Sequence, residues 1–370
     1  MGRLCLIYNF AMLYRETIYT EIDRRWQCKW FFGKNDTGII GMDLSKLNDV
    51  TELTYQRLKF GGWYWLKGLS SHLRKEKIST YLVIGEPYCL SIWRLGLLLK
   101  FFCKHKKLYF WTHGWYGKES FFKRIVKKGF FKLADGIFLY GNYARNLMIE
   151  EGFDPKKLFV IHNSLDYKKQ TEIRRTLSDS DIYRSHFGNS NPTLIFIGRL
   201  TAVKRIDLLV EAVGALRQKG VDCNLVLVGD GDKTEELQRL VKEKDLIDRV
   251  WLYGKCYDDN VNAELIYNAT LCVAPGNVGL TAIHSMVFGT PVISHNDFRH
   301  QMPEFEAIKP GITGDFFEEG NVNSLCEKIL TWQNEHPDRE VVRRACYQEI
   351  DDNWTPEYQI SVLEKHLIYY

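Results

Sequence analysis

The 370-residue sequence has no apolar run long enough to cross a membrane, because the longest candidate, residues 89–103, contains Arg94 and Lys100. Its nine cysteines include no CxxC pair, and their odd number argues against a disulfide framework as well as a zinc site. The N-terminal stretch has the pattern of a strand, and no small-residue cleavage site follows it, so we expect no signal peptide. These absences together favour the reducing cytosol.

Several signatures of catalysis are also missing. There is no Walker A motif, which disfavours an NTP-hydrolysing P-loop, and no GxGxxG after the first strand, which disfavours hydride transfer from a dinucleotide. Neither HExxH nor GxSxG occurs, and we interpret Asp230-Gly231-Asp232, after a predicted strand, as a turn rather than a metal site. We therefore expect no metal ion and no cofactor.

What the sequence does have is an uneven distribution of charge. Residues 1–170 contain 29 Lys and Arg against 15 Asp and Glu, a formal charge of +14, whereas residues 171–370 contain 21 against 31, a charge of −10. Such a division predicts two domains with different partners. One partner of the basic half should be anionic, such as a membrane surface, a phosphorylated lipid or a nucleic acid.

Short apolar runs alternate with helical patterns through the second half. The predicted buried strands there are PTLIFIG, CNLVLVG, RVWLYG, TLCVAP and PVISH. The helices between them predict a parallel, doubly wound sheet, and the first half repeats the pattern with five strands, so the fold class is α/β with two Rossmann-like domains. The predicted parts are a first domain at 1–170, a polar linker at 171–191, a second domain at 192–350 and a C-terminal helix at 351–370 that can cross back to the first domain.

Two cations follow the first strand of the second domain. The strand ends at Gly198, Arg199 comes next, and Lys204 lies five residues later at the start of a predicted helix. Ligands bind in crevices at the carboxyl ends of parallel strands, and two cations in such a place suit a diphosphate. The alternative is that both side chains are simply solvated.

A second strand–helix junction lies in APGNVGLTAIHSMVFGTPVI, residues 274–293. Gly276, Asn277 and Gly279 let the backbone approach a ligand closely, and the helix that follows directs its free N–H groups towards the same edge of the sheet. The alternative for the glycines is packing between helix and strand. His284, one turn inside the helix, is either a ligand contact or a partly buried histidine with its hydrogen bonds satisfied.

The sequence resembles the nucleotide-sugar domain of retaining GT-B glycosyltransferases of the family 4 type, glycosyl transferases group 1, through five ordered blocks over about residues 192–330. These blocks are GRLTAVKRIDLLVEAV, LVLVGDGD, VWLYGKCYDD, GLTAIHSMVFGTPVI and IKPGITGDFFEEGNVNSL. The resemblance implies the GT-B fold, in which two Rossmann-like domains with parallel sheets face each other across a cleft. It is weak in the first half, which is the acceptor-binding domain in this family.

By this resemblance, residues of the second half hold the donor in three ways. The donor diphosphate would be bound by Arg199, Lys204, Gly279, Leu280 and Thr281. The nucleoside would be bound by Tyr253, Lys255, Cys256 and His284, and the donor sugar by Gly276, Asn277 and Glu306. Glu306 is assigned because it lies eight residues before Gly314, like the acidic residue that precedes the family's closing TG.

The sequence departs from the family at its two glutamates, whose positions are here Gly276 and His284. The first glutamate contacts hydroxyls of the donor sugar in the family, so the sugar cannot be inferred for a chain with glycine there. The second contacts the ribose, which His284 can still hydrogen-bond, or His284 can add charge near the phosphate when protonated. A degenerate, inactive domain is the competing interpretation.

Three residues of the first half are further candidates by resemblance. His113, at the end of a predicted strand, matches a histidine that the family often places beside the donor sugar, and we assign it as the catalytic histidine; a structural role is the alternative. Arg15 lies where the family's glycine-rich first loop is absent, as a phosphate contact or as a helix-surface residue. Glu86 ends a strand at the edge of the cleft, where it can touch the acceptor.

The resemblance implies an enzyme, a retaining hexosyltransferase that moves a sugar from a UDP- or GDP-sugar to a lipid-linked or polysaccharide acceptor of a surface glycan such as capsule or O-antigen. Its donor diphosphate would be neutralised by cations and amides without a metal. The alternatives are a sugar-nucleotide epimerase or phosphorylase of related fold, and a non-catalytic GT-B scaffold.

Residues 100–132 mix many cations with Phe, Trp and Tyr. A basic aromatic surface suits an anionic bilayer, so we expect a peripheral protein on the inner face of the cell membrane. Such a surface would also suit nucleic acid, but no recognised nucleic-acid module is present and we expect no such partner. The remaining alternative is a solvated helix face with its aromatic side chains in the core.

Overall fold

The computed structural model describes residues 3–34, 40–59, 61–73 and 77–367, which divide into two compact units. The first unit comprises Met1–Asp166 and Pro356–Tyr370, and the second comprises Tyr167–Thr355. Residues 171–191, for which we predicted a linker, lie inside the second unit and include helical residues. Within the described residues, no helix combines the length and the apolar character needed to span a bilayer.

The first unit is built on a sheet of eight strands among the described residues, in the order β4-β3-β2-β1-β5-β6-β7-β8. Its strands are β1 (Arg3–Tyr8), β2 (Lys29–Gly33), β3 (Val50–Arg57), β4 (Tyr64–Lys67), β5 (Ile78–Ile84), β6 (Lys107–Thr112), β7 (Gly136–Leu139) and β8 (Leu158–Val160). Its helices up to Asp166 are α1 (Glu16–Trp26), α2 (Leu69–Leu73), α3 (Leu90–Phe102), α4 (Phe121–Phe131) and α5 (Asn142–Glu150). All neighbouring strands pair in parallel except β3 and β4.

Both faces of this sheet are buried, which explains why its strands are nearly continuous apolar runs. Along β1, Cys5 and Ile7 point to one core, which α3, α4 and α5 cover, while Leu4 and Leu6 point to the other, which α1 covers. The alternation follows from the two-residue period of a strand. The layers are therefore helix, sheet and helix, as in a Rossmann-like domain.

The second unit contains a parallel sheet of six strands among the described residues, in the order β11-β10-β9-β12-β13-β14. Its strands are β9 (Thr193–Ile197), β10 (Asn224–Val228), β11 (Val250–Gly254), β12 (Leu271–Ala274), β13 (Val292–His295) and β14 (Gly314–Phe317). Its helices are α6 (Tyr167–Arg174), α7 (Ile182–Phe187), α8 (Ile206–Gln218), α9 (Thr234–Glu243), α10 (Asp259–Asn268), α11 (Thr281–Met286), α12 (Val322–Glu335) and α13 (Arg339–Asn353). The predicted fold class, with two Rossmann-like α/β domains, is confirmed.

The strand order of the second unit reverses between β9 and β12. The chain moves from β9 outwards to β10 and β11, then returns to place β12 on the other side of β9. Open α/β sheets bind ligands outside the carboxyl ends of the strands at such a reversal. The loops after β9 and β12 are therefore the first place to look for a ligand site.

The last helix, α14 (Pro356–His366), returns to the first unit. Its Ile360 and Leu363 are buried in the same core as β1 and α1. The buried Gln359 donates from Nε2 to the carbonyl of His162 at 2.8 Å and accepts from the hydroxyl of Ser164 at 2.7 Å. This C-terminal segment is thus part of the packed structure of the first unit.

Candidate active site

The loops at the carboxyl edge of the second sheet pack against one another through glycines. A Cβ on Gly229, after β10, would lie 1.9 Å from the carbonyl oxygen of Gly198, after β9. A Cβ on Gly276, after β12, would lie 2.0 Å from the carbonyl oxygen of Val203. Because no side chain fits at either position, glycine is what allows these loops to meet at the strand reversal.

Lys204 and Asn277 join the two loops that flank the reversal. Lys204 Nζ donates to the carbonyl oxygen of Asn277 at 2.6 Å and to its Oδ1 at 2.7 Å. The N–H of Gly276 donates to the carbonyl of Lys204 at 2.9 Å. The predicted convergence of Lys204 with the glycine-containing loop is therefore present in the structure.

Burial lowers the pKa of Lys204 to about 8; the charge of Glu304 opposes this shift and that of Arg199 adds to it. Arg199 itself is exposed. Two cations that influence each other across a partly buried site are suited to an anion that neutralises both. Glu304, which is buried in the 3₁₀ turn Pro303–Ala307, is a carboxylate whose charge acts on Lys204, and no motif in the sequence pointed to it.

Backbone amides add positive potential at the same place. Within the described residues, the N–H groups of Gly279, Leu280 and Thr281 donate none of the hydrogen bonds found. The hydroxyl of Thr281 donates to the carbonyl of Ile197 at 3.0 Å, which fixes the start of α11 against the end of β9. The helix is short, ending at Met286, so its contribution is these free amides rather than a long macrodipole.

Gln301 holds the loop of Gly276 to Gly279 in position, and no motif in the sequence predicted this role. Its buried side chain accepts from the N–H of Val278 at 2.8 Å and donates to the hydroxyl of Ser294 at 2.8 Å. Ser294 in turn donates to the carbonyl of Ala274 at 2.8 Å. A loop fixed by buried hydrogen bonds can present its amides without reordering when a ligand arrives.

The predicted nucleoside contacts Tyr253, Lys255 and Cys256 lie on β11 and just after it, two strands from β9. Tyr253 is partly buried and Lys255 is exposed. Lys255 pairs with Asp230 at 3.0 Å, and hydrogen bonds from Thr234 and Lys255 lower the pKa of Asp230 to about 2. These residues share the carboxyl edge with Lys204 and lie on its β11 side.

His284 is partly buried one turn inside α11, with its ring 5.7 Å from that of Phe288. Burial lowers its pKa to about 4, although Asp259 opposes the shift. His284 is therefore neutral near pH 7, so the expectation that it adds charge near a phosphate is not supported. A neutral imidazole can still hydrogen-bond a hydroxyl.

Glu306, assigned from its spacing to Gly314, is partly buried in the same turn as Glu304. The backbone carbonyl of Glu306 accepts from Lys309 Nζ at 2.7 Å. Of the two carboxylates, Glu304 is the one whose charge acts on Lys204.

The first unit brings Arg15, Glu86 and His113 together on one cavity of about 480 Å³. Arg15 is 6% exposed, so the interpretation of it as a helix-surface residue is wrong. Glu86 Oε2 accepts from the hydroxyl of Tyr64 at 2.8 Å.

His113 lines this cavity with a buried Nδ1 that has no hydrogen-bond partner among the described residues. Burial lowers its pKa to about 4, and the charges of Arg15 and Lys127 act in the same direction. His113 is thus neutral near pH 7, and any stabilisation it offers to a reacting sugar is a hydrogen bond rather than a full charge.

One group outside these sites has ligand atoms close enough for a cation. Within the described residues, Asp297, His300 and Glu319 place one such atom each within 4.8 Å of the others. His300 and Glu319 are exposed, and Asp297 already pairs with Arg299 at 2.8 Å. Surface groups of this kind are common without an ion.

Residues 179–349 match the family model of Glycosyl transferases group 1. Similar curated proteins include an alpha-D-kanosaminyltransferase of Streptomyces kanamyceticus, 27% identical over 117 residues, which are 30% of this chain and 30% of that protein. A poly(ribitol-phosphate) alpha-N-acetylglucosaminyltransferase of Staphylococcus aureus is 24% identical over 60% of this chain and 41% of its own length. The alignments thus cover less than half of either relative.

Two solved structures resemble the whole chain. Anabaena HepE in complex with UDP has a TM-score of 0.73 at 15% identity and matches 98% of this chain and 99% of its own. The apo form of the lipopolysaccharide outer core galactosyltransferase WaaB has a TM-score of 0.73 at 16% identity and matches 99% of this chain and 100% of its own. At identities this low, the structural similarity establishes the fold alone, and it is the GT-B fold predicted from the sequence.

Proposed function

We propose that this chain, whose second unit is a group 1 glycosyltransferase domain in a GT-B fold, transfers a sugar from a UDP- or GDP-sugar to a lipid-linked or polysaccharide acceptor of a surface glycan. The transfer retains the configuration of the anomeric carbon. The observation that carries the proposal is the convergence of Lys204 with the amides of residues 279–281 at the strand reversal between β9 and β12, where Arg199 follows Gly198 just after the end of β9. That convergence suits a diphosphate, the group shared by all nucleotide-sugar donors.

The chemistry requires stabilisation of a departing nucleoside diphosphate. As the bond between the anomeric carbon and the diphosphate oxygen breaks, negative charge grows on that oxygen, beside the Lys204 cation and the free amides. The acceptor hydroxyl attacks from the side on which the phosphate leaves, and its proton passes to the departing phosphate. This route needs no protein nucleophile and no metal, because the positive charge is supplied by the chain itself.

Relatives support this class of reaction and leave the donor nucleotide open. HepE was crystallised with UDP, whereas a mycobacterial relative, 36% identical over 26% of its length, is a GDP-mannose-dependent mannosyltransferase that acts on a phosphatidylinositol dimannoside. The acceptors named for the relatives range from a lipid to a polymer. We therefore keep UDP and GDP as equal candidates for this chain.

A membrane-bound acceptor is supported by the surface of α4. Phe121, Phe122 and Ile125 are 70%, 78% and 55% exposed. Lys123, from the same helix, lines the cavity that contains His113. An exposed apolar and basic helix end beside a ligand cavity suits binding at an anionic membrane surface, which we propose is the inner face of the cell membrane.

The test of donor binding uses Arg199→Ala and Lys204→Ala, with Arg205→Ala as the matched control. Arg205 lies in the same loop but pairs with Asp207 at 3.0 Å. Charge-assisted hydrogen bonds contribute about 1.5–3 kcal/mol, so each test variant should bind UDP or GDP about 10- to 100-fold more weakly, and the control should not. Isothermal titration in EDTA measures both the affinity and the absence of a metal requirement. Unchanged affinity in both test variants would refute the assignment.

The competing functions are separated by the fate of the donor. Incubation with a panel of nucleotide sugars should yield slow hydrolysis to the nucleoside diphosphate, because water can replace the acceptor. Inversion at C2 without loss of the sugar would instead indicate an epimerase. Absence of nucleotide binding would indicate a scaffold.

A further inference from the structure

Arg15 is a buried cation without a carboxylate. It ends the 3₁₀ turn Leu13–Arg15 that leads into α1. Its guanidinium carbon lies 4.4 Å from the ring centre of Trp111 and 5.1–5.6 Å from those of Tyr8, Tyr19 and Tyr140. Within the described residues, no carboxylate forms an ion pair with it. Aromatic faces hold the guanidinium in place, but they do not replace an anion.

One edge of this guanidinium is left free. Nη1 donates to the hydroxyl of Tyr140, whereas Nε and Nη2 have no hydrogen-bond partner among the described residues. Nε and Nη2 form the side-on edge of an arginine, the edge that binds two oxygens of one phosphate or carboxylate at once. The fixed Nη1 therefore leaves the bidentate edge available to a ligand.

The other unpartnered polar atoms of this region belong to the same cavity. Besides Nε and Nη2 of Arg15, they are the hydroxyls of Tyr8 and Tyr19, Nε1 of Trp111 and Nδ1 of His113. Within the described residues, these six atoms of five neighbouring side chains are all buried and have no hydrogen-bond partner. Buried polar groups are normally hydrogen-bonded, so such a concentration in one cavity indicates a site built for a polar ligand.

The charges that line the cavity favour an anion. Four cations line it, Arg15, Lys118, Lys123 and Lys127, against the two carboxylates Glu86 and Glu119. Glu119 is already bound by Lys127 at 2.6 Å and by the N–H groups of Tyr116 and Gly117 at 2.9 Å. The exposed Lys118 and the 39% exposed Tyr14 also line the cavity, which connects it to solvent.

We propose that this cavity binds the phosphate group of a phosphate-bearing glycosyl acceptor, with Arg15 as its main ligand. The donors around Arg15 outnumber the two oxygens of a carboxylate, and a phosphate monoester presents three. A volume of about 480 Å³ is large enough for a sugar-sized group attached to that phosphate. That the phosphate belongs to a glycosyl acceptor rests on the proposed function. The phosphate site itself does not depend on nucleotide binding in the second unit.

The test titrates the full chain with glucose 1-phosphate, with glucose as the neutral counterpart and with inorganic phosphate. The proteins are the wild type, Arg15→Met and the double variant Arg199→Ala/Lys204→Ala. We expect glucose 1-phosphate to bind the wild type and the double variant alike, and Arg15→Met at least about tenfold more weakly. Glucose should bind all three proteins equally, and inorganic phosphate should bind the wild type more weakly than glucose 1-phosphate does.

Other outcomes overturn the proposal. Loss of glucose 1-phosphate binding in the double variant but not in Arg15→Met would place the phosphate in the second unit. Equal affinities for inorganic phosphate and glucose 1-phosphate would indicate a site for the free ion rather than for an acceptor. No difference between glucose and glucose 1-phosphate would mean that the unpartnered atoms bind only water.

Stability separates a binding role of Arg15 from a role in the core. Removal of a buried cation that has no carboxylate relieves a desolvation cost, so Arg15→Met should melt at or above the temperature of the wild type. A markedly lower melting temperature with unchanged affinity would assign Arg15 to the core. Arg15→Lys keeps the charge but loses the side-on edge, and it should also bind glucose 1-phosphate more weakly than the wild type.

Nucleotide binding distinguishes this inference from the proposed function. Arg15→Met should bind UDP or GDP as the wild type does, because Arg15 belongs to the other unit. If no variant binds a nucleotide while glucose 1-phosphate still depends on Arg15, the glycosyltransferase assignment fails and the phosphate site stands. If nucleotide binding is normal and no phosphate binds, this inference alone fails.

Discussion

The glycine at position 276 is the clearest departure from the family, and the structure gives it a steric reason. A Cβ there would lie 2.0 Å from the carbonyl oxygen of Val203 and 2.8 Å from Cα of Lys204. The close approach carries the hydrogen bond from the N–H of Gly276 to Lys204. The missing glutamate is therefore part of how this chain positions Lys204, rather than the loss of one side chain from an otherwise unchanged loop.

Replacing Gly276 with glutamate, the family's residue, should consequently lower both stability and nucleotide affinity. We expect Gly276→Glu to displace residues 203–204, to destabilise the protein by about 1–3 kcal/mol and to weaken nucleotide binding about tenfold. Denaturant unfolding and titration with UDP or GDP measure the two effects. Gly214→Ala, within α8, is the control. Its Cβ would lie no closer than 3.7 Å to atoms outside the helix backbone, and the alanine should stabilise the helix. A stable Gly276→Glu protein with improved turnover would contradict this account.

The sequence predicted site residues that directly follow strands better than residues that reach the site through packing. Lys204 and the amides of Gly279, Leu280 and Thr281 could be found because the ends of parallel strands meet at one edge. Glu304 and Gln301 could not, since their contacts depend on how the segment after β13 folds back over the loop. The neutral state of His284 depends on burial, which spacing does not report.

Among the elements, α4 combines packing and exposure within one helix. Phe130 and Phe131 are buried in the core, whereas Phe121 and Phe122 at the other end are exposed. Within α4, the sequence interpretation that the aromatic side chains are in the core is thus correct only for the C-terminal half. The exposed half is amphipathic surface that the first unit itself leaves uncovered.

We expect Phe121→Ser/Phe122→Ser to reduce binding to vesicles with anionic lipid about tenfold or more. The variant lacks the two apolar rings that we propose insert into the membrane. Ile247→Ser, at a 68% exposed position of the second unit, is the matched control and should not change binding. Vesicle flotation gives the measurement. Wild-type binding by the double variant would exclude α4 as the membrane contact.

The cations of α4 are less suitable for the same test. Arg124 and Lys128 both pair with Glu151, at 2.6 and 2.8 Å, and the partly buried Lys127 pairs with Glu119 at 2.6 Å. Reversing their charges would break these ion pairs and disturb the fold together with any lipid contact. The aromatic residues offer the cleaner readout.

The strands of the first unit that could be predicted are those that follow the regular alternation of strand and helix along the sequence. The strands β1 and β5 to β8 are apolar runs followed by turn residues, and all were predicted. The strands β2, β3 and β4 were missed, because β2 is short and closely follows the two arginines in the last turn of α1, and β3 has only Leu53 and partly buried residues facing the core. The pairing of β3 with β4 is antiparallel, which the repeating strand–helix pattern does not indicate.

Across the whole molecule, the first unit is assembled from two distant parts of the sequence. The C-terminal helix α14 supplies Leu363 to the core that β1 and α1 share, Leu367 just after the helix joins the same core, and Glu364 pairs with Arg25 of α1 at 2.8 Å. The sequence predicted a C-terminal helix that can cross back to the first domain, but composition could not show which residues of that domain it packs against.

We expect Leu363→Ala to destabilise the first unit by about 2–5 kcal/mol, as is typical of a buried leucine that leaves a cavity. Hydrogen exchange should accelerate in peptides from β1 and β8 and remain unchanged in β9 to β14. Ser361→Ala, at an exposed position of the same helix, serves as the control. Faster exchange chiefly in the second unit would show that α14 stabilises that unit and not the first, and it would contradict this prediction.

The return of α14 to the first unit also sets an order of assembly during translation. The second unit is one continuous stretch, so it can fold as soon as it leaves the ribosome. The first unit, although most of it is synthesised earlier, must wait with part of one core uncovered until α14 emerges. Chimeras that exchange the first unit between related chains will need to carry this C-terminal helix along with the N-terminal segment.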